Sequence, residues 1–139
     1  MNKIYLIATA AALMASCRGA PPNEKLLTQG CLALMANDPE ISGGLLNASG
    51  TTSDIFCPCY AKTIIAGETK VDLHKEVLVE IVNTREANNV GVEDAVDLIE
   101  DRIESGEVDL FTSEQLDSTG DDFQDIAGRF EENGACPIS

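Results

Sequence analysis

With 139 residues and a formal charge of −15, the chain has room for one small, acidic domain. The charge is one-sided: eight acids and seven bases precede Glu86, whereas sixteen acids and only Arg102 and Arg129 follow from there. A surface this anionic repels phosphate backbones and anionic headgroups, which excludes nucleic-acid binding and membrane attachment through a basic patch.

The chain opens with Met1-Asn2-Lys3 and the apolar run Ile4–Ala15. About a dozen apolar residues behind a positive start are too few to span a bilayer and read as a signal peptide over residues 1–16. The run closes as Leu13-Met14-Ala15-Ser16-Cys17. Here the chain resembles a bacterial lipoprotein, whose lipobox of an aliphatic residue, two small residues and a Cys is cut just before the Cys. Ala15, Ser16 and Cys17 match that pattern; Met14 stands where Leu, Val or Ile is usual. The resemblance covers the export segment alone and implies a diacylglycerol on the thiol of Cys17. Arg18 behind it implies, by the same analogy, sorting to an outer membrane, facing the periplasm. Ordinary signal-peptidase cleavage, giving a start at Arg18 or Ala20, is the competing expectation. Residues 17–22, with the pair Pro21-Pro22, form a tether, and residues 23–139 form the domain.

Asn23 is placed to cap a first helix over Glu24–Asn37, on which Leu27, Cys31, Leu34 and Met35 share one stripe. Asn37-Asp38-Pro39 stops it. Glu40–Ser53 is a Gly-, Ser- and Asn-rich loop in which Ile41, Leu45 and Leu46 pack down. Its Asn47-Ala48-Ser49 matches a glycosylation acceptor, discounted for a bacterial source. A second helix begins between Asp54 and Cys57 and ends at Ala66, with Pro58 in its first turn. A third, Val71–Ala87, carries His74, Val77, Leu78, Ile81 and Val82 on one face; Asn88-Asn89-Val90-Gly91 breaks it. The fourth, Val92–Ser105, carries Val92, Ala95, Val96, Ile99 and Ile103, with Asp94, Asp97, Asp101 and Glu104 pointing away. A short turn at Ser113–Leu116 precedes a last helix over Asp121–Glu132, with Phe123, Ile126, Ala127 and Phe130 inward. No segment alternates long enough to predict a strand. The expectation is an all-α, five-helix bundle with a modest aliphatic core and two structural disulfides.

The stretch Phe56-Cys57-Pro58-Cys59-Tyr60 carries the one concentrated chemical signal. If Cys17 is acylated, Cys31, Cys57, Cys59 and Cys136 remain, an even set for two disulfides in an oxidising compartment. On a helix, Cys57 and Cys59 project about 200° apart and cannot bond to each other. Each is expected to reach a different partner, one Cys31 and the other Cys136, and spacing leaves both such pairings open. The set is similar to small secreted helical proteins of alphaproteobacteria, which join an early helical Cys, a Cys-x-Cys and a C-terminal Cys; that resemblance implies no assigned activity.

The alternative is a periplasmic thiol-redox or copper-binding protein. Redox use of Cys57 and Cys59 needs a stabilised thiolate, and Lys62 is the only close cation. Soft-metal use adds His74, whose apolar stripe suits a packed core histidine. Cys-Pro-Cys also resembles the intramembrane motif of copper-pumping ATPases, without the membrane helices of such a pump around it. Residues 117–122 lack the Gly and Glu positions of a calcium loop, and no phosphate loop, zinc helix or nucleophile elbow is present. The expected reading is a non-enzymatic, cofactor-free lipoprotein, held in the envelope by Cys17. It would contact another envelope component through its acidic half or the Glu40–Ser53 loop.

Overall fold

Pro can start a helix because the first turn has no use for its N–H. In the computed structural model, which describes residues 21–47, 50–68 and 70–136, helix α1 runs Pro22–Met35 with Pro21 at its N-cap. Pro22 thus belongs to the helix, and the expected cap at Asn23 is superseded by a proline at the first helical position. Leu27, Cys31, Leu34 and Met35 are buried as one stripe.

The loop after α1 contains a wide π-helical turn, Ile41–Leu46. Leu46 is buried and Ile41 half-buried, so the segment does pack down. The side chain of Leu45 and residues Ala48 and Ser49 lie outside the described residues. Helix α2, Ser53–Gly67, starts a turn earlier than Pro58 suggests. Pro58 therefore sits in the second turn, where it has no N–H for the carbonyl of Asp54. The cost is tolerated because the two flanking sulfurs and two neighbouring rings are buried: Phe56 and Tyr60 are both fully so.

Helix α3, Val71–Asn88, ends on Asn89 in the left-handed conformation. Helix α4, Val92–Glu104, follows at once, with Ala95 and Ile99 buried and its acids outward. Helix α5 is one continuous element, Ser113–Asn133, not a short turn and a separate helix. A reciprocal capping box starts it: Gln115 N–H donates to Thr112 Oγ1 at 3.2 Å and Thr112 N–H to Gln115 Oε1 at 2.9 Å. A single interior glycine such as Gly120 costs about 1 kcal/mol, too little to break a helix buried along Leu116, Thr119, Ile126 and Phe130.

The described residues contain five α-helices and no strand. Helix α3 is central, packing against α1, α4 and α5, while α2 packs against α1 and α5. Gly30 lets α1 approach α3 closely: a Cβ there would lie 3.1 Å from Leu78 Cδ1. The core is less purely aliphatic than expected. Phe56 lies 5.1 Å from Phe123 and 5.8 Å from Phe130, and Tyr60 lies 4.7 Å from Phe123, ring centre to ring centre. The chain's few aromatics are concentrated where α2 meets α5, which joins distant parts of the sequence.

Candidate functional site

The four expected cysteines form two disulfides, Cys31–Cys57 and Cys59–Cys136. Both pairings left open by spacing fasten α2 to α1 and to the chain's end; the structure adopts the one in which Cys57 reaches α1 and Cys59 reaches the end. Cys31, Cys57 and Cys59 are buried at 0–4 % exposure, and Cys136 is half-buried. Neither sulfur of the Cys-Pro-Cys stretch is bonded to the other or left as a thiol. Met35 Sδ packs 3.8 Å from Cys57 Sγ. Cys17 lies outside the described residues. Bonds of this kind persist in oxidising compartments and point to an exported environment. Among the described residues, no helix is long and apolar enough to cross a membrane.

His74, on the inner stripe of α3, is fully buried and has both ring nitrogens occupied. Its Nε2 lies 3.1 Å from Asp122 Oδ2. A carboxylate only accepts, so Nε2 carries the proton; the neutral ring then accepts at Nδ1 from the Tyr60 hydroxyl, 2.6 Å away. Lys70 Nζ completes the network, donating to Asp122 Oδ2 and to Ser118 Oγ, each at 2.9 Å. Burial pushes the His74 imidazolium below its ordinary pKa, and Lys70 adds to that, outweighing the opposing pull of Asp122. For Asp122, burial acts to raise the pKa, but the hydrogen bonds from Lys70 and His74 prevail and hold it below the ordinary carboxylate value. Burial first, and then the Asp122 charge, push the Tyr60 phenol well above its ordinary value.

This line of Tyr, His and Asp has the order of a proton relay but no opening for a substrate at its inner end. Tyr60 and His74 are both 0 % exposed, and Asp122 already holds Lys70. It ties α2, α3 and α5 together, and among the described residues every buried side-chain polar atom is satisfied. His74 is the packed core histidine that its stripe suggests. It does not converge with Cys57 or Cys59, and among the described residues no three His, Cys, Asp or Glu stand where they could hold a metal ion.

A second polar joint passed unseen in the sequence. Asp38, only 5 % exposed, accepts from the backbone N–H of Glu40 and Ile41 at 3.1 Å and of Val92 at 2.9 Å, so it opens both the π-helical turn and α4. Arg85 reaches from α3 to the end of α1, donating to the carbonyls of Leu34 and Ala36, with its guanidinium 3.8 Å from Asp38. Desolvation alone would raise the Asp38 carboxyl, yet these backbone donors and Arg85 hold it below its ordinary pKa. Asp38 and Arg85 are forty-seven residues apart, and no local spacing marks them as partners.

A further surface feature is an open groove of about 990 Å³ lying over α3, between α4 and α5. Its floor is aliphatic, with Val77, Leu78 and Ile81 from α3 and Val92 and Val96 from α4. Glu40, Glu93, Asp117, Asp121 and Glu131 stand around it, all exposed, and among the described residues no Lys or Arg lines it. The groove brings together the two regions the sequence nominated for contact: the acidic C-terminal half and the start of the Glu40–Ser53 segment.

Comparison with protein families, with curated proteins and with solved structures finds no match to this chain. What the fold and site define by themselves is a class: a small, all-helical domain with two structural disulfides and an acid-rimmed apolar groove.

Proposed function

We propose that this chain is a non-enzymatic, exported lipoprotein, held by an acylated Cys17 in an outer membrane, facing the periplasm, and docking another envelope component on its helical domain. The observation that carries the docking role is the groove between α4 and α5, where apolar floor and exposed acids converge. Export is supported by the two disulfides, and anchoring by the Ala15-Ser16-Cys17 string. The Tyr60–His74–Asp122 relay is closed to solvent at Tyr60 and His74, which supports a structural rather than catalytic role. A thiol-redox or copper-binding use of Cys57 and Cys59 would require both to be released from their present partners.

The test is the intact mass of the native protein after thiol alkylation, before and after reduction, with disulfide peptide mapping. The expected result is an acyl mass on Cys17, no alkylation before reduction, and Cys57 and Cys59 joined to Cys31 and Cys136 respectively. An unacylated start at Arg18 or Ala20 overturns the anchor, and a Cys57–Cys59 bond or a co-purifying metal overturns the structural role of the cysteines.

A further inference from the structure

Helix α5 presents Leu116, Gly120, Phe123, Ala127 and Glu131 to the groove, a single line whose ends lie 15 positions apart, or about 22 Å along the helix. A cleft of that length, floored by aliphatic side chains of α3 and α4, matches about four turns of a second helix. The usual i, i+3, i+4, i+7 anchors of an amphipathic helix would fill it. The charge around it selects among helices. Glu40 and Glu93 stand at one side, and Asp117, Asp121 and Glu131 project from α5; among the described residues no basic side chain lines the groove. A second copy of this chain would bring the same acids against themselves and is disfavoured by a formal charge of −15.

Two glycines add an independent observation. Gly120 and Gly128 stand inside α5 on the groove side. Each weakens the helix relative to Ala. Neither is required by this chain: neither has a positive φ, and a Cβ at either would meet nothing within 4 Å. Glycine on an open helical face allows the backbone of a neighbour to come close. Nothing within the described chain uses that approach.

We infer that the α4–α5 groove is the docking site for a basic amphipathic α-helix of an envelope protein, its apolar face on Val92, Val96 and Phe123 and its Lys or Arg side chains against the acidic rim. This deepens the docking role proposed above and rests on it. Basic residues steer such a helix to the rim, and the apolar floor holds it, so binding is strongly salt-dependent in rate and less so in residence.

The experiment uses the full mature chain, solubilised in a non-ionic detergent, and a synthetic 18-residue Leu/Lys peptide patterned as an amphipathic helix. The controls are a Leu/Glu peptide of the same pattern and a Lys-rich peptide with the pattern scrambled, all read by fluorescence anisotropy. The Leu/Lys helix alone is expected to bind, at least about tenfold more weakly once Asp117, Asp121 and Glu131 are all changed to Lys. Gly128→Leu is expected to abolish binding while leaving the thermal midpoint at or above that of the native protein, because the space beside it is open. Reversing the off-groove acids Glu104, Asp109 and Glu114 is expected to leave binding within about twofold. Equal binding of the scrambled peptide, equal loss in the off-groove variant, or insensitivity to Gly128→Leu overturns the assignment. Vesicles of cationic lipid competing fully with the peptide overturn it in favour of a lipid surface. A photo-crosslinker at Val96 in cells, set beside one at Lys62 on α2, separates the two levels. Crosslinks to an envelope protein from Lys62 alone sink the groove but keep the docking role; none from either position sinks both.

Discussion

At the scale of single residues, the sharpest consequence concerns His74, the chain's only histidine. Its folded-state pKa lies below the ordinary 6.5 because burial, aided by Lys70, outweighs the attraction of Asp122. The unfolded chain therefore binds a proton that the folded protein refuses, and stability rises with pH across that window. Stability is expected to be full above the ordinary histidine pKa and to fall as pH drops below it, before the bulk of the carboxylates titrate. Urea unfolding between pH 7.5 and 5 measures this slope, and His74→Gln should flatten it. Asp122 and Asp38, both held below the ordinary 3.8, add a separate loss as pH falls beneath that value. Tyr60→Phe removes the donor to His74 Nδ1 and leaves a buried nitrogen without its partner. It should cost about 1–3 kcal/mol, read as a shift of the urea midpoint without a change of slope. Neither Asp122 nor Asp38 was legible in the sequence. In a chain with twenty-four acids, a carboxylate gives no sign of being the one that folds inward.

At the scale of elements, α1, α3 and α4 were legible from their apolar stripes to within about two residues at each end. Two features depart from local signals: α2 starts at Ser53, next to the earlier of the two expected starts, which leaves Pro58 in its second turn, and α5 runs unbroken through Gly120 where a short turn and a separate helix are expected. Local propensity yields to burial, and α2 and α5 each bury a long face through the weak position. The same weakness makes a prediction. Gly120→Ala and Gly128→Ala enter open space on an established helix and should stabilise the protein by about 0.5–1 kcal/mol each. Thermal unfolding would show this as a rise of a few degrees; a fall would mean that the glycines serve a contact within the chain. The disulfides act on the same helices with larger effect. Cys31–Cys57 closes a separation of 26 residues and Cys59–Cys136 one of 77, for which chain entropy suggests about 3.5 and about 4.5 kcal/mol. Paired Ala substitutions at Cys59 and Cys136 should therefore lower the thermal midpoint more than those at Cys31 and Cys57. The reverse order would mean that removing Cys59–Cys136, the longer loop, relieves native-state strain that offsets its larger entropic contribution.

At the scale of the whole molecule, electrostatic self-repulsion is a standing cost. Acids outnumber bases by 24 to 9, while the exposed ion pairs, such as Arg129 with Asp125 at 3.4 Å, return little. Raising ionic strength from about 0.01 to 1 M shrinks the screening length from about 30 to 3 Å. The thermal midpoint is expected to rise over that range, as scanning calorimetry would record. A fall would mean that networks such as Lys70–Asp122 and Arg102–Glu80, the latter at 2.6 Å, outweigh the repulsion.

The sequence by itself determined the helical class, the inner stripes of α1, α3 and α4, and that Cys57 and Cys59 must seek partners on opposite sides of a helix. Those follow from periodicities of three to four residues and from bond geometry, which act locally. The tertiary structure decided which partner each sulfur took, which of many acids turned inward to His74 and Arg85, and that α4 and α5 stand apart over α3. These depend on contacts between residues 26 to 77 positions apart, where spacing along the chain carries no distance in space.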